Sequence, residues 1–98
     1  MAEIRVAETV GPVLENGPAG DAVIAAIRKL NDNVTIEDRG SYVRVLVPRR
    51  CVVTREAIEA VTGQSFALPA DLELVMPSFK GRFLVNEDQA TWTAENAR

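Results

Sequence analysis

The sequence predicts an α+β domain in which two main helices pack with antiparallel-rich sheets. Apolar and polar residues alternate from Tyr42 to Val47, which is the period of a half-buried strand. Two segments, starting near Asp21 and Thr54, instead space their apolar residues three and four apart, as on one face of a helix. Turn residues separate these segments, so the pattern predicts a duplicated β-α-β-β type unit.

The length and composition of the chain fit one domain spanning residues 1–98, with residues 1–9 as a mobile arm and residues 95–98 as a frayed tail. Hydrophobic residues make up 47% of the chain, enough to form a core. The formal net charge of -3 lacks the basic excess typical of nucleic-acid-binding proteins. No apolar run approaches the roughly 20 residues that cross a bilayer, and no signal peptide is evident. With a single cysteine, these features predict a cytoplasmic protein that binds neither nucleic acid nor membrane.

A short strand and a helix open the first unit. Residues 10–14 are apolar but contain Pro12, which cannot donate a ladder hydrogen bond, so we expect this strand at a sheet edge. Asp21 has the side chain of a helix N-cap, and residues 31–33 are asparagine-rich and suit the end of the helix. The apolar stripe between them is expected at Val23, Ala26, Ile27 and Leu30.

A central hairpin completes the first unit, and the rest of the chain can be interpreted as packing against it. Residues 34–36 lead into it, and residues 38–41 supply turn chemistry, with Gly40 free to adopt a positive φ. The returning strand, residues 42–47, places its three valines on one face, which we expect in the core. The opposite face is amphipathic and is open to solvent or to a partner: Tyr42, Arg44 and Leu46.

The second unit begins with a strand over residues 51–53 and a second helix. Thr54 is a suitable N-cap for that helix, and Gly63 suits its end. The buried stripe of the helix is expected at Ala57, Ile58 and Val61, and Phe66 is expected to anchor the following segment in the core.

The last third of the chain is predicted to return to strands. Leu72–Met76 alternates and favours a strand, after one helical turn at residues 69–71. Residues 82–85 and 89–93 are predicted to pair as a hairpin that carries Trp92.

The commonest residues of catalytic and metal sites are missing from the sequence, and its 14 acidic residues are scattered without the spacing of a calcium loop. There is no histidine, the commonest general base and metal ligand, and one cysteine is too few for a zinc or iron–sulfur site. Asp21, Glu37 and Asp38 could act as catalytic carboxylates, but cap and turn roles explain them better. We therefore expect a binding or regulatory protein without catalysis, cofactor or metal of its own.

Arginines surround the single cysteine, and both features admit two interpretations. The charge of Arg49 and Arg50 lowers the pKa of a neighbouring thiol, but without a histidine base a small buried side chain is the better interpretation of Cys51. The arginines form either ion pairs with surface acids or a docking patch for a partner. The cluster comprises Arg39, Arg44, Arg49, Arg50 and Arg55.

The predicted fold explains the segment Pro77-Ser78-Phe79-Lys80-Gly81 least well. It places a proline, an aromatic residue and a glycine between two predicted strands. Gly81 permits an unusual backbone angle or the close approach of another chain. Two interpretations stay open: Phe79 is exposed and contacts a partner, or the segment is a β-bulge or sheet corner with Phe79 turned inward.

Several short stretches, in this order, resemble the coupling, or effector, proteins of bacterial soluble diiron monooxygenases. They are Val10-Gly11-Pro12-Val13, Asp21-Ala22-Val23-Ile24, Thr35-Ile36-Glu37-Asp38-Arg39, Tyr42-Val43-Arg44-Val45, Ser78-Phe79-Lys80-Gly81 and Glu87-Asp88-Gln89. The resemblance runs from about Val10 to Thr93 and is greatest to the toluene and alkene monooxygenase branch, with phenol hydroxylase and methane monooxygenase relatives further off.

The resemblance implies a cofactor-free regulatory domain that binds the hydroxylase component over the large subunit carrying the diiron site. Such proteins tune turnover, coupling and regiospecificity, and act only indirectly with the ferredoxin and reductase components. The implied partner-binding segment is Pro77, Ser78, Phe79, Lys80 and Gly81. We add Tyr42 and Arg44, whose face either docks the partner or faces an internal cavity.

This interpretation predicts a monomer when the protein is free. The alternative is a ferredoxin-like module that senses a small molecule or oligomerises, which predicts a defined dimer and a ligand-dependent melting temperature.

Overall fold

A computed structural model describes residues 8–94, which form two antiparallel sheets and three helices, so the predicted α+β class is confirmed. The elements in chain order are β1 (Thr9–Glu15), α1 (Pro18–Leu30), β2 (Thr35–Asp38), β3 (Tyr42–Pro48), β4 (Arg50–Thr54), α2 (Arg55–Thr62), α3 (Ala70–Val75), β5 (Ser78–Lys80), β6 (Arg82–Val85) and β7 (Gln89–Thr93). The first sheet has the order β2-β3-β1-β5 and the second the order β4-β7-β6. The expected tail, and the expected arm up to residue 7, lie outside the described residues.

The prediction of a strand at Leu72–Met76 is wrong, because α3 occupies this segment. Leu72 and Met76 are buried, whereas Leu74 is 76% exposed. Residues four apart share one face of a helix, but in a strand Leu74 would share that face as well. The second unit therefore gains a helix, and its strand β5 joins the first sheet instead of the second.

The expectation that the first strand lies at a sheet edge is wrong, because β1 lies between β3 and β5. The ladder between β1 and β3 has no paired residues at Gly11 and Pro12, but the register is the same on both sides of this gap, so the strand stays inside the sheet although the proline cannot donate a hydrogen bond. Gly11 has a φ of 148°. A Cβ atom on Gly11 would overlap the carbonyl oxygen of Val45, so the close approach of β1 to β3 requires a glycine.

The helix α1 begins earlier than predicted, and Asp21 is not its N-cap. The helix starts at Pro18, with Gly17 as the cap residue. Proline suits the first helical position because its φ is fixed and it has no N–H group to satisfy. Asp21 lies within the first turn, where a negative charge is favourable to the helix dipole. The helix ends before residue 31, as predicted, but Leu30 is 42% exposed and falls outside the buried stripe.

The boundaries of α2 agree with the sequence prediction. Oγ1 of Thr54 accepts a hydrogen bond from the backbone N–H of Ala57 at 3.1 Å, and Gly63 ends the helix with a φ of 73°. Ile58 is fully buried, whereas Val61 is 39% exposed and does not belong to the core. Within residues 8–94, no helix has the length and apolarity needed to cross a membrane.

The central hairpin forms as predicted, with its three valines in the core. At its turn, Gly40 has a φ of 92° and donates its backbone N–H to Oδ1 of Asp38 at 2.9 Å. Cys51 is also in the core, opposite Trp92 on the neighbouring strand. Burial raises the pKa of the Cys51 thiol to about 12, although the positive charge of Arg50 acts in the opposite direction. The interpretation of Cys51 as a small buried side chain is confirmed.

Gly11→Ala is expected to destabilise the protein more than Gly17→Ala. Both glycines have nearly the same φ, 148° and 152°, so both variants carry backbone strain. Only at Gly11 would the new Cβ meet a neighbouring strand, since the space around Gly17 is open. We expect Gly17→Ala to lower the free energy of unfolding by about 1–3 kcal/mol and Gly11→Ala by about 2 kcal/mol more, measured by urea denaturation. Equal losses would contradict the close approach of β1 to β3.

Cys51 is expected to resist thiol reagents in the native protein. With a pKa of about 12, roughly one thiol in ten thousand is ionised at about pH 8, and the thiolate is the reactive species. Ellman's reagent should therefore modify the native protein slowly and the guanidinium-denatured protein at once. Rapid modification of the native protein would show that the thiol is accessible and would revive its role as a nucleophile.

Candidate functional site

A groove lies on the first sheet where β1, β3 and β5 meet, and we call it the β5 groove. Its volume is about 570 Å³. It is lined by Gly11, Pro12, Val13, Tyr42, Arg44, Val45, Leu46, Pro77, Ser78, Phe79 and Lys80. Six of the seven residues predicted to bind a partner therefore lie together, although they come from different halves of the chain.

The pairing of β5 with β1 brings the two predicted stretches together. Phe79 lies opposite Pro12, and Ser78 lies opposite Val13, while β3 borders β1 on its other side. The lining residues from β1 were missed because that strand was expected at an edge. A Gly-Pro pair inside an apolar segment is the signal that could have identified them, since it marks a place where the ladder is interrupted.

Gly81, the seventh predicted residue, lies outside the β5 groove and has a structural role. It has a φ of 103° and connects β5 of the first sheet to β6 of the second. A Cβ there would lie 2.7 Å from Cγ1 of Val10 and 2.8 Å from the carbonyl oxygen of Thr93. Glycine is needed at this corner because the chain turns against two other strands.

Phe79 lies in a short strand, and its side chain is 44% exposed. The centroid of its ring is 5.2 Å from that of Phe83, and the Phe83 centroid is 5.2 Å from that of Trp92. Trp92 is fully buried. The three rings, which we call the aromatic stack, run from the core to the surface. Phe79 thus keeps an exposed side while its other contacts fix its position.

Two cations line the β5 groove. Arg44 lies 3.8 Å from Oε1 of Glu37, and the same oxygen is 3.1 Å from Arg39. Nζ of Lys80 donates a hydrogen bond to Oγ1 of Thr9 at 3.4 Å. Because Arg44 and Lys80 are partly exposed to solvent, these contacts contribute little to stability, and both cations stay available to a partner.

The five clustered arginines were expected either to form ion pairs or to make a docking patch, and the structure shows ion pairs for only some of them. Arg39, Arg44 and Arg55 form ion pairs, the last with Glu59 at 3.2 Å. For Arg49 and Arg50, no carboxylate within residues 8–94 lies closer than 4.0 Å. Ion pairing therefore explains part of the cluster only.

The carboxylates considered for catalysis do not converge. Asp21 lies in α1, whereas Glu37 forms ion pairs and Asp38 stabilises the hairpin turn. In the part of the chain that the structure describes, no three Asp, Glu, His or Cys side chains are close enough to hold a metal ion.

A second groove, of about 620 Å³, lies between α1 and α2, and we call it the helix groove. It is lined by Pro18, Ala19, Asp21, Ala22, Ala25, Val61, Thr62, Gln64, Ser65 and Phe66. None of the predicted partner-binding residues lies in it, and its only charged side chain is Asp21.

Comparison with known proteins agrees with the resemblance found in the sequence. The effector subunit of the alkene monooxygenase system of Xanthobacter autotrophicus is 42% identical over 85 residues, which are 85% of this chain and 83% of that protein. A chain from the structure of a phenol hydroxylase–regulatory protein complex has a TM-score of 0.77, covering 87% of this chain and 95% of that chain. At 15% identity, that similarity shows a shared fold alone. The MmoB/DmpM family matches residues 8–93, and this chain belongs to that family.

Proposed function

We propose that this chain is the effector component of a multicomponent diiron monooxygenase and acts by binding the hydroxylase component. The observation that carries this function is membership of the MmoB/DmpM family over residues 8–93, together with 42% identity to an alkene monooxygenase effector subunit. The chain is a non-catalytic component of such a system. We place it in the cytoplasm, in agreement with its single, buried cysteine.

The β5 groove is the proposed docking surface for the hydroxylase. Among residues 8–94, the two exposed large aromatic side chains, Tyr42 and Phe79, both line it. Aromatic residues are enriched at protein interfaces because they bury a large area at a small loss of conformational freedom. Arg44 and Lys80 add charged groups that can fix the orientation of a partner.

The aromatic stack supports this proposal, because it fixes Phe79 before binding. A side chain already held by Phe83 loses little rotamer freedom when a partner covers its exposed side. The remaining binding energy can then favour one conformation of the hydroxylase over another. An effector shifts such an equilibrium only by its difference in affinity for the two conformations. A difference of about 1–3 kcal/mol changes the populations by about 5–150-fold.

Addition of this protein to a reconstituted monooxygenase is expected to raise the steady-state rate of product formation. Hydroxylase, ferredoxin and reductase are held at fixed concentrations while the protein is titrated. The rate should saturate near one effector per hydroxylase active site. An unchanged rate with a well-folded sample and a cognate hydroxylase would contradict the proposed function and favour the ligand-sensing alternative, which a thermal-shift screen would then test.

Phe79→Ala is expected to raise the effector concentration needed for half-maximal activation by about tenfold or more, because it removes a central aromatic contact. The matched control is Leu74→Ala, which truncates a side chain that is 76% exposed and lies outside the β5 groove. This control should activate like the wild type. Since Phe79 also contacts Phe83, its replacement should lower the free energy of unfolding by about 1 kcal/mol. Equal activation by both variants would contradict the proposed docking surface.

A further inference from the structure

The outer face of the second sheet, the side opposite Trp92, is basic and partly apolar. Because residues paired in an antiparallel sheet share a face, the register assigns it eight positions: Arg50, Val52, Thr54, Arg82, Leu84, Gln89, Thr91 and Thr93. It contains no acidic residue. Leu84, on its outermost strand, is 55% exposed. This face combines an apolar contact area with positive charge.

Two arginines of this face lie in one row. Arg50 and Arg82 both pair with Thr93, from the two strands that flank β7. With strands about 4.8 Å apart, their Cα atoms are separated by about 10 Å. Both arginines are exposed. The row therefore presents two guanidinium groups to the same side of the molecule.

The corner at Gly81 connects this row to the β5 groove. Lys80 lines that groove and precedes the corner at Gly81, and Arg82 follows the same corner. We call Lys80, Arg82 and Arg50 the basic band. In the described part of the chain, no carboxylate lies within 4.0 Å of these three side chains. Glu8 is the acid that shares a small pocket with Lys80.

The basic band contrasts with the charge of the whole protein. The chain has 11 cationic and 14 acidic side chains. Outside the three residues of the basic band, it therefore has 8 cationic and 14 acidic side chains. Residues 1–7 and 95–98 each contain one acid and one arginine, so these end segments add no net side-chain charge. A local positive strip on an acidic protein orients it towards an acidic surface and speeds their association.

We propose that the docking surface extends from the β5 groove along the basic band onto the outer face of the second sheet, and that it pairs there with an acidic strip of the hydroxylase. This proposal rests on the function proposed above. Phe79 supplies the aromatic contact, and the band sets orientation and association rate. The hydroxylase is the occupant because the basic band adjoins the β5 groove, the surface proposed above to bind it, and the positive charge of the band predicts acidic residues at the facing position of the hydroxylase.

The test compares two double charge reversals of the full chain in binding to the cognate hydroxylase. Arg50→Glu/Arg82→Glu changes the band, and Arg28→Glu/Lys29→Glu changes the exposed last turn of α1. Each pair takes the net charge from -3 to -7, a change of two units at each of two positions. Dissociation and association rate constants are measured at ionic strengths of about 0.02 M and 0.3 M. Circular dichroism and thermal melts check that each variant folds. If Arg50→Glu/Arg82→Glu does not fold, Arg50→Gln/Arg82→Gln is used in its place.

The band reversal should weaken binding by about tenfold or more at the lower ionic strength, mainly through slower association, and the difference should shrink at the higher one. The control reversal should weaken binding much less. If the wild type binds and the two reversals have equal effects, the basic band has no role in docking, and the proposed function is unaffected. If the wild type self-associates at low salt and only the band reversal abolishes this, the face binds a second copy of the chain instead. Absence of wild-type binding would overturn the proposed function and this inference with it.

Discussion

The insertion of β1 between β3 and β5 is the constraint on which the rest of the structure depends. It joins β5, which lies far from β1 in the sequence, to the sheet that contains the central hairpin, and so creates the β5 groove. The insertion requires that β1 approach β3 closely, which Gly11 permits because it has no side chain to meet the carbonyl oxygen of Val45. Arg49 secures the neighbouring corner, where its N–H donates to the carbonyl of Glu8 at 2.9 Å and its carbonyl accepts from the N–H of Ala94 at 3.0 Å.

A protein that acts by binding must keep apolar surface exposed, although folding favours burial of the same surface. The aromatic stack reconciles these requirements. Trp92 contributes to the core, Phe83 is partly buried, and Phe79 keeps 44% of its surface exposed. Because each ring contacts the next, the exposed ring is supported from within. The stability of the core and the readiness of the surface to bind thus depend on the same contacts.

Local sequence patterns correctly predicted the elements whose conformation depends mainly on residues close in the chain. The alternation from residue 42 to 47 predicted a strand and its buried face, and Thr54 and Gly63 predicted both ends of α2. The segment 72–76 was misassigned because its apolar residues fit both periods, and only the exposure of Leu74 distinguishes helix from strand.

Strand pairing between distant parts of the chain could not be predicted in this way. The position of β1 depends on its contacts with β3 and β5, and Pro12 favoured an edge when considered alone. The same limit applies to the site. Family resemblance and the pattern of the hairpin suggested residues 77–81 with Tyr42 and Arg44, but their proximity and the part that β1 takes in the groove follow from tertiary pairing.

Amide hydrogen exchange of this protein, with and without its hydroxylase, tests most directly whether the β5 groove is the docking surface. We expect slower exchange in peptides covering residues 42–46 and 77–80 when the hydroxylase is bound, with no change in the helix groove. Slower exchange confined to residues 18–25 and 61–66, which line the helix groove, would contradict it and place the hydroxylase on the helical side of the molecule.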